Sequence, residues 1–211
     1  MLIHFNNSSK DAEDLANQIQ NSGQQAWLLQ ADISKEHGIE LLCEAAFAIT
    51  PVFALINNAS IFHPGSFLET SETSWRVHLQ VNLTTPFRLS QVFAKLLGKN
   101  TDGAIINMLD WRALRPGSDH FAYTISKAAL TAMTQSLALS LAPNISVNAI
   151  ALGAILPPEN VQIDPKILEK IPLNRWAELI ELNTLLLYLL KRPLSLTGQV
   201  IHLDGGRHLV K

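Results

Sequence analysis

A doubly wound parallel α/β sheet is the fold predicted for this chain of 211 residues, and three observations carry the prediction. Short apolar runs recur from one end of the chain to the other. Those runs are continuous rather than alternating, as in strands covered on both faces. Longer stretches of helical period separate them, so strand and helix alternate throughout.

The elements follow in order. Met1 to Phe5 reads as a strand. Asn6 to Ser9 supplies capping chemistry for a helix over Lys10 to Asn21, which Gly23 closes. Ala26 to Gln30 is a second strand, and Lys35 to Ile49 a second helix. Val52 to Ile56 is a third strand, followed by Asn57-Asn58-Ala59-Ser60. The turn residues His63-Pro64-Gly65 precede a long helix over Ser74 to Leu97. A strand at 104–108, a helix at 120–141 that Pro143 ends, and a strand at Ile145 to Ile150 come next. Leu152 to Pro172 holds four prolines and little regular pattern. A helix over Ala177 to Lys191 and a strand over Gln199 to Leu203 complete the set. One domain over 1–211 accounts for all of it.

Composition narrows the classes. Apolar residues make up 47% and charged residues 16%, a globular balance. A net charge of −2 gives no reason to expect nucleic acid or an anionic membrane as partner. Cys43 is the only cysteine, so no internal disulfide forms, and it is expected on the inner face of a helix. The N-terminus lacks a basic-then-apolar leader, so a cytoplasmic location is expected. His63, His78, His120, His202 and His208 show no ligand spacing, and no metal is expected.

The chemistry gathers between Asp110 and Lys127. Tyr123 and Lys127 stand four apart and share a helix face. An ammonium near a phenol favours phenolate, so Lys127 is expected to lower the Tyr123 pKa. Asp110 closes the preceding strand and stands ready either to share proton traffic or simply to cap a turn. Asp32, Asn57 to Ser60, Asp110 and Gly153 all follow strands directly. In such a sheet they line one crevice at the C-terminal strand ends. The helix carrying Tyr123 is small or apolar on nearly every side, which predicts that a second subunit covers it.

Together these residues resemble the short-chain dehydrogenase/reductase family, whose fold is Rossmann-like. Asn57-Asn58-Ala59 looks like its Asn-Asn-Ala-Gly motif. Asn82 matches its helix asparagine, Tyr123-x-x-x-Lys127 its catalytic pair, and Asp32 its adenine-edge acid, with Ile33 beside it. Asn148 to Gly153 matches its Asn-x-x-x-Pro-Gly stretch, after which Ile155 would touch nicotinamide. Asp204-Gly205-Gly206 matches its C-terminal signature. Asp110 stands where most of the family has serine. With Asn-Asn-Ala-Ser, it resembles the pteridine reductase and dihydromonapterin reductase subgroup.

That resemblance implies reduction of a dihydropteridine (dihydrobiopterin, dihydromonapterin or dihydrofolate) by NADPH. Tyr123 and Asp110 would protonate the ring nitrogen, Lys127 would bind the nicotinamide ribose, and Asn82 would hold a water. Phe62 would lie against the pterin. Asn58, Ala59 and Ser60 would back the cofactor. Asn7 replaces the subgroup's arginine for the 2′-phosphate, with Ser8, Ser9 and Lys10 as stand-ins that favour NADPH over NADH. The relatives imply a homotetramer. Bland readings stand beside these: Phe62 as a loop contact, Asn82 as a bridge, and Arg115 as a surface arginine rather than a partner for an acidic substrate tail.

The chain departs from the family at its start. No glycine precedes Gly23, and the first strand matches the family's second. The expected consequence is a sheet without its central strand and without the pyrophosphate loop. A working protein would then carry about 30 residues upstream for that first βα unit. Two other readings remain: a carbonyl reductase of the same family acting on a 3-oxoacyl thioester, and a non-catalytic truncated paralogue.

Overall fold

The structure, a computed structural model, describes residues 1–155, 166–193 and 195–210. Strands β1 (Leu2–Phe5) and β2 (Trp27–Gln30) form one parallel pair. Strands β3 (Ala54–Asn57), β4 (Gly103–Asp110), β5 (Ile145–Leu152) and β6 (Val200–Leu203) form a second parallel sheet in that order. Helices α1 (Ser9–Asn21), α2 (Glu36–Ile49), α3 (Glu72–Leu79), α4 (Thr85–Leu97), α5 (Phe121–Leu141), α6 (Lys166–Glu169) and α7 (Leu179–Leu190) lie between them.

Continuous apolar composition works as expected in the middle of the larger sheet. Ile105, Ile106, Val147, Ala149 and Ile150 are fully buried. Successive residues of β4 face opposite layers. Ile106 and Met108 pack with Leu182, Leu186 and Leu189 of α7. Ile105 packs with Phe93 of α4 and Ala138 of α5, and Leu109 with Leu130.

The expected gap appears as two separate sheets. Among the described residues, β1 pairs with β2 alone and β3 with β4 alone. Phe53 and Ile56, predicted to be covered, are exposed beside that free edge. The β1–α1–β2 unit keeps a small core of Ile3, Ala12, Ala16 and Ala26. The loop after β2 and α2 join it to the rest: Ile33, Ile39 and Cys43 pack on Leu89, and the Thr85 hydroxyl donates to the Ile33 carbonyl at 2.8 Å.

Local chemistry differs from expectation in two places. Ser8 is the N-cap of α1, but its side chain makes no capping bond. The long helix starts earlier, at a Ser71 cap whose hydroxyl accepts from the Ser74 amide at 3.1 Å, and is interrupted by a π turn over Gln80–Thr84. Pro86 has no N–H for the Asn82 carbonyl, so the helix widens just ahead of it. The sheet side of helix α5 is closed within the chain, while Leu139 is 85% exposed. The irregular segment predicted over 152–172 lies partly outside the described residues. No helix among the described residues is long and apolar enough to cross a membrane.

Candidate active site

Three elements bring the predicted catalytic groups together. Strand β4 ends on Asp110, whose Oδ1 accepts from the Arg112 amide at 2.7 Å and caps a 3₁₀ turn over Trp111–Ala113. Asp110 thus caps a turn, and its carboxylate also stands close enough to the Tyr123 hydroxyl on α5 for each to shift the other's pKa. Lys127, one turn along, is 3% exposed and donates from Nζ to the Met108 carbonyl at 2.8 Å. Its Nζ lies 5.8 Å from the centre of the Tyr123 ring.

The electrostatics correct one expectation. Lys127 was expected to lower the Tyr123 pKa; burial and the Asp110 carboxylate instead raise it. A phenolate there would be desolvated and would face a like charge, so Tyr123 stays protonated. It stands as a neutral phenol rather than a phenolate. Burial also pushes the Asp110 carboxyl above its usual range, while Arg112, Lys127 and Tyr123 hold it down in part. Burial pulls Lys127 down to about 8, against the nearby Asp110.

Asn82 sits in the π turn and is fully buried. Its amide donates to the Ile61 carbonyl and the Ser126 hydroxyl, both at 3.0 Å. Its carbonyl accepts from the Ile61 amide at 2.9 Å and the Ser60 hydroxyl at 3.1 Å. Ser126 in turn donates to the Tyr123 carbonyl at 2.7 Å. Asn82 thus ties the 60–61 segment to the Tyr123 helix. All four of its hydrogen-bonding capacities go to protein, so its geometry here is that of a positioning residue.

Phe62 is half-exposed and meets Tyr123 edge-on at 4.6 Å. It stacks on His120 at 4.0 Å with the rings nearly parallel. His120 was set aside in the sequence because only metal spacing was sought; it precedes α5, and stacking across 58 residues leaves no trace in local pattern. His78 was missed for the same reason. It is buried on α3, bonded from Nδ1 to the Ser74 carbonyl at 2.7 Å, and it accepts the His63 amide on Nε2 at 3.3 Å. It anchors the loop that carries Phe62.

The dinucleotide implied by the sequence can be set against this geometry. At its nicotinamide end the residues fit. The Lys127 ammonium spends one of three protons on protein, so two remain for ribose hydroxyls. Gly153 follows β5, and a Cβ there would stand 2.7 Å from the Asp204 Cα, so only bare backbone fits. Ile155 lies just beyond it, the last residue described before position 166. Asn57 bridges to Asn107 at 2.8 Å and keeps a buried carbonyl oxygen unpartnered among the described residues. Asn58, Ala59 and Ser60 are exposed after β3.

The adenine end fits less closely. The Asp32 carboxylate accepts from the Ser34 hydroxyl at 2.6 Å and amide at 3.0 Å, and pairs with Lys35 at 3.2 Å. The Ile33 side chain, predicted to line the cofactor, points into the core with Ile39 and Cys43, because its side of the loop covers α2. Asn7 and Ser8 are exposed between β1 and α1. No metal-binding cluster exists among the described residues.

Comparison with known proteins agrees with this arrangement. A family model described as enoyl-(acyl carrier protein) reductase matches residues 1–208. The structure of FolM alternative dihydrofolate reductase 1 from Brucella canis, complexed with NADP, is 38% identical with a TM-score of 0.90, covering 100% of this chain and 84% of that one. A 3-oxoacyl-[acyl-carrier-protein] reductase from Aquifex aeolicus is 33% identical over 205 residues, 92% of this chain and 80% of the relative. L-xylulose reductase from Bos taurus is 30% identical over 188 residues, 80% of this chain and 77% of the relative. On the paired Tyr123 and Lys127, the parallel sheets and these matches, the chain belongs to the short-chain dehydrogenase/reductase family of oxidoreductases.

Proposed function

We propose that this chain reduces a dihydropteridine to its tetrahydro form with NADPH, over NADH, and with Tyr123 as proton donor. The observation that carries the reading is a carboxylate, Asp110, at the end of β4, electrostatically coupled to Tyr123, which stands one helical turn from Lys127. Similarity to the Brucella FolM proteins, whose crystals hold NADP, supports both substrate class and cofactor. NADPH supplies the hydride when bound. Lys127 donates its two free ammonium protons to the ribose. Tyr123 gives its proton to the ring nitrogen beside the carbon being reduced. Asp110, with its carboxyl above the usual range, takes a proton from solvent and restores Tyr123. Phe62 stacks on the pterin, and Asn58, Ala59, Ser60, Gly153 and Ile155 line the cofactor with Asp32, Asn7 and Ser8 at its far end.

A homotetramer belongs to the same proposal. The outward side of α4 and α5 carries exposed Phe87, Leu96 and Leu139, an apolar face that a second copy would cover. A single domain and a cytoplasmic location complete it.

A second reading, reduction of a 3-oxoacyl thioester, is favoured by the Aquifex relative and the matching family model. A protonated Tyr123 serves a ketone oxygen as well as a ring nitrogen. The deciding assay follows NADPH oxidation with dihydrobiopterin, dihydrofolate and acetoacetyl thioester in parallel. Turnover of a pterin is expected; turnover of the thioester alone would replace the first reading by the second.

A further inference from the structure

Three arginines meet where β4 and β6 end. Arg112 and Arg207 place their guanidinium carbons 5.2 and 4.9 Å from the centre of the Trp111 ring. Arg115 reaches the Arg207 carbonyl at 3.4 Å, and Arg207 donates to the Lys170 carbonyl at 2.6 Å. All three side chains are partly buried. Such a gathering is unfavourable unless negative charge answers it.

The carboxylates nearby are already engaged. Asp119 binds Arg112 at 2.5 Å and lies 3.1 Å from His120. Asp204 accepts from the Gly206 and His208 amides and from the His208 ring at 2.8 Å. Asp110 serves the Arg112 amide and Tyr123. Among the described residues, Arg115 and Arg207 have no carboxylate partner, only carbonyl oxygens. The charge on Arg207 is disfavoured by burial and by Arg115 and Arg112 together. The Arg207 guanidinium rests beside the Trp111 ring with Arg115 against its backbone carbonyl, an arrangement suited to a planar or tetrahedral oxyanion.

The position relates this charge to the chemistry. Trp111 and Arg112 directly follow Asp110, whose carboxylate caps their turn. In a parallel sheet, the C-terminal ends of β4 and β6 border the same crevice. The cluster therefore stands on the rim of the candidate reaction site, next to Asp110.

We infer that Arg115 and Arg207, beside Trp111 and Arg112, form a subsite for an anionic substituent of the substrate, so that the preferred pteridine bears a carboxylate or phosphate tail. This rests on the pteridine reading above. Only the charge is assigned; a glutamate-like tail and a phosphate ester share it.

The test is calorimetric titration of the whole chain, in the presence of NADP, with three probes: folate (carboxylates), neopterin monophosphate (phosphate) and biopterin (uncharged side chain). At about 20 mM salt, the anionic probe that fits the subsite is expected to bind roughly tenfold or more tightly than biopterin. That advantage should shrink severalfold at about 300 mM salt, where the Debye length approaches 5–6 Å. Folate alone showing it would identify a carboxylate tail; the phosphate alone, a phosphate ester. In the double variant Arg115→Gln, Arg207→Gln, the ratio of anionic to neutral affinity should collapse towards one. Arg207 also holds the Lys170 carbonyl, so the salt series on the unaltered chain decides independently of whether that variant folds. Equal, salt-insensitive binding of all three probes would overturn the subsite and leave the pteridine reading standing. If none binds, the pteridine reading falls and the subsite with it.

Discussion

Lys127→Met gives the sharpest test of the site's electrostatics, because it separates stability from catalysis. Lys127 is 3% exposed, and burial lowers its pKa from 10.5 to about 8. At 1.36 kcal/mol per pH unit, holding it charged in the folded protein at pH 7 costs about 3 kcal/mol relative to the unfolded chain. Methionine has similar length and no charge. It forfeits the bond to the Met108 carbonyl, worth about 1 kcal/mol, and leaves Asp110 with one cation fewer. The net expectation is a gain of about 1–2 kcal/mol at pH 7. For a chain of this size that raises Tm by roughly 2–8 °C. The pH dependence carries the sign. A depressed pKa means the folded state releases its proton first, so wild-type stability rises between about 8 and 10.5 as the penalty is relieved. The penalty falls by about 2.5 kcal/mol between pH 7 and 10, so the gain from Lys127→Met should vanish and turn into a loss of roughly 1 kcal/mol by about pH 10. Differential scanning calorimetry of both proteins at the two pH values reads this directly, with NADPH oxidation expected to be lost at both. A destabilised variant at pH 7, or a difference that ignores pH, would refute the claim that burial dominates at Lys127.

Three further outcomes follow from the same geometry. Asp110→Asn should lower turnover by about 10²–10⁴ and remove from the kcat pH profile a fall in rate as pH rises through a pKa above the usual carboxylate range, as stopped-flow kinetics would show. Asn82→Ala strands the buried Ile61 amide and carbonyl and the Ser126 hydroxyl, so urea denaturation should show a loss of about 3–5 kcal/mol. Cys43, buried with its thiol pushed up to about 11, should resist a thiol reagent in the native protein at pH 8 and react only on unfolding.

Much of the architecture was readable along the chain because it depends on local period. The apolar runs at 104–108 and 145–150 became β4 and β5, each somewhat longer than its apolar stretch. Tyr123 and Lys127 share a face because four residues make about one helical turn. Asp110 meets Tyr123 because a strand end and the start of the next helix border one crevice, which topology alone predicts. The division into two sheets matches the reading that no strand of this chain lies between β1 and β3.

What the sequence determined, then, is whatever follows from period and from residues a few positions apart: the alternation of strand and helix, and the shared helix face of Tyr123 and Lys127. Tertiary structure alone decided the properties that depend on burial and on distant partners. Lys127 sits close enough to lower the Tyr123 pKa, yet desolvation and the Asp110 charge raise it, and no spacing rule reports how much water a site retains. Asn82 reads as a lone polar residue in a helix until Ser60, Ile61 and Ser126 close around it. Phe62 meets His120, and Trp111 meets Arg207, across separations that carry no periodic signal. Those contacts exist because the strand ends converge, and convergence is a property of the packed sheet rather than of any one segment.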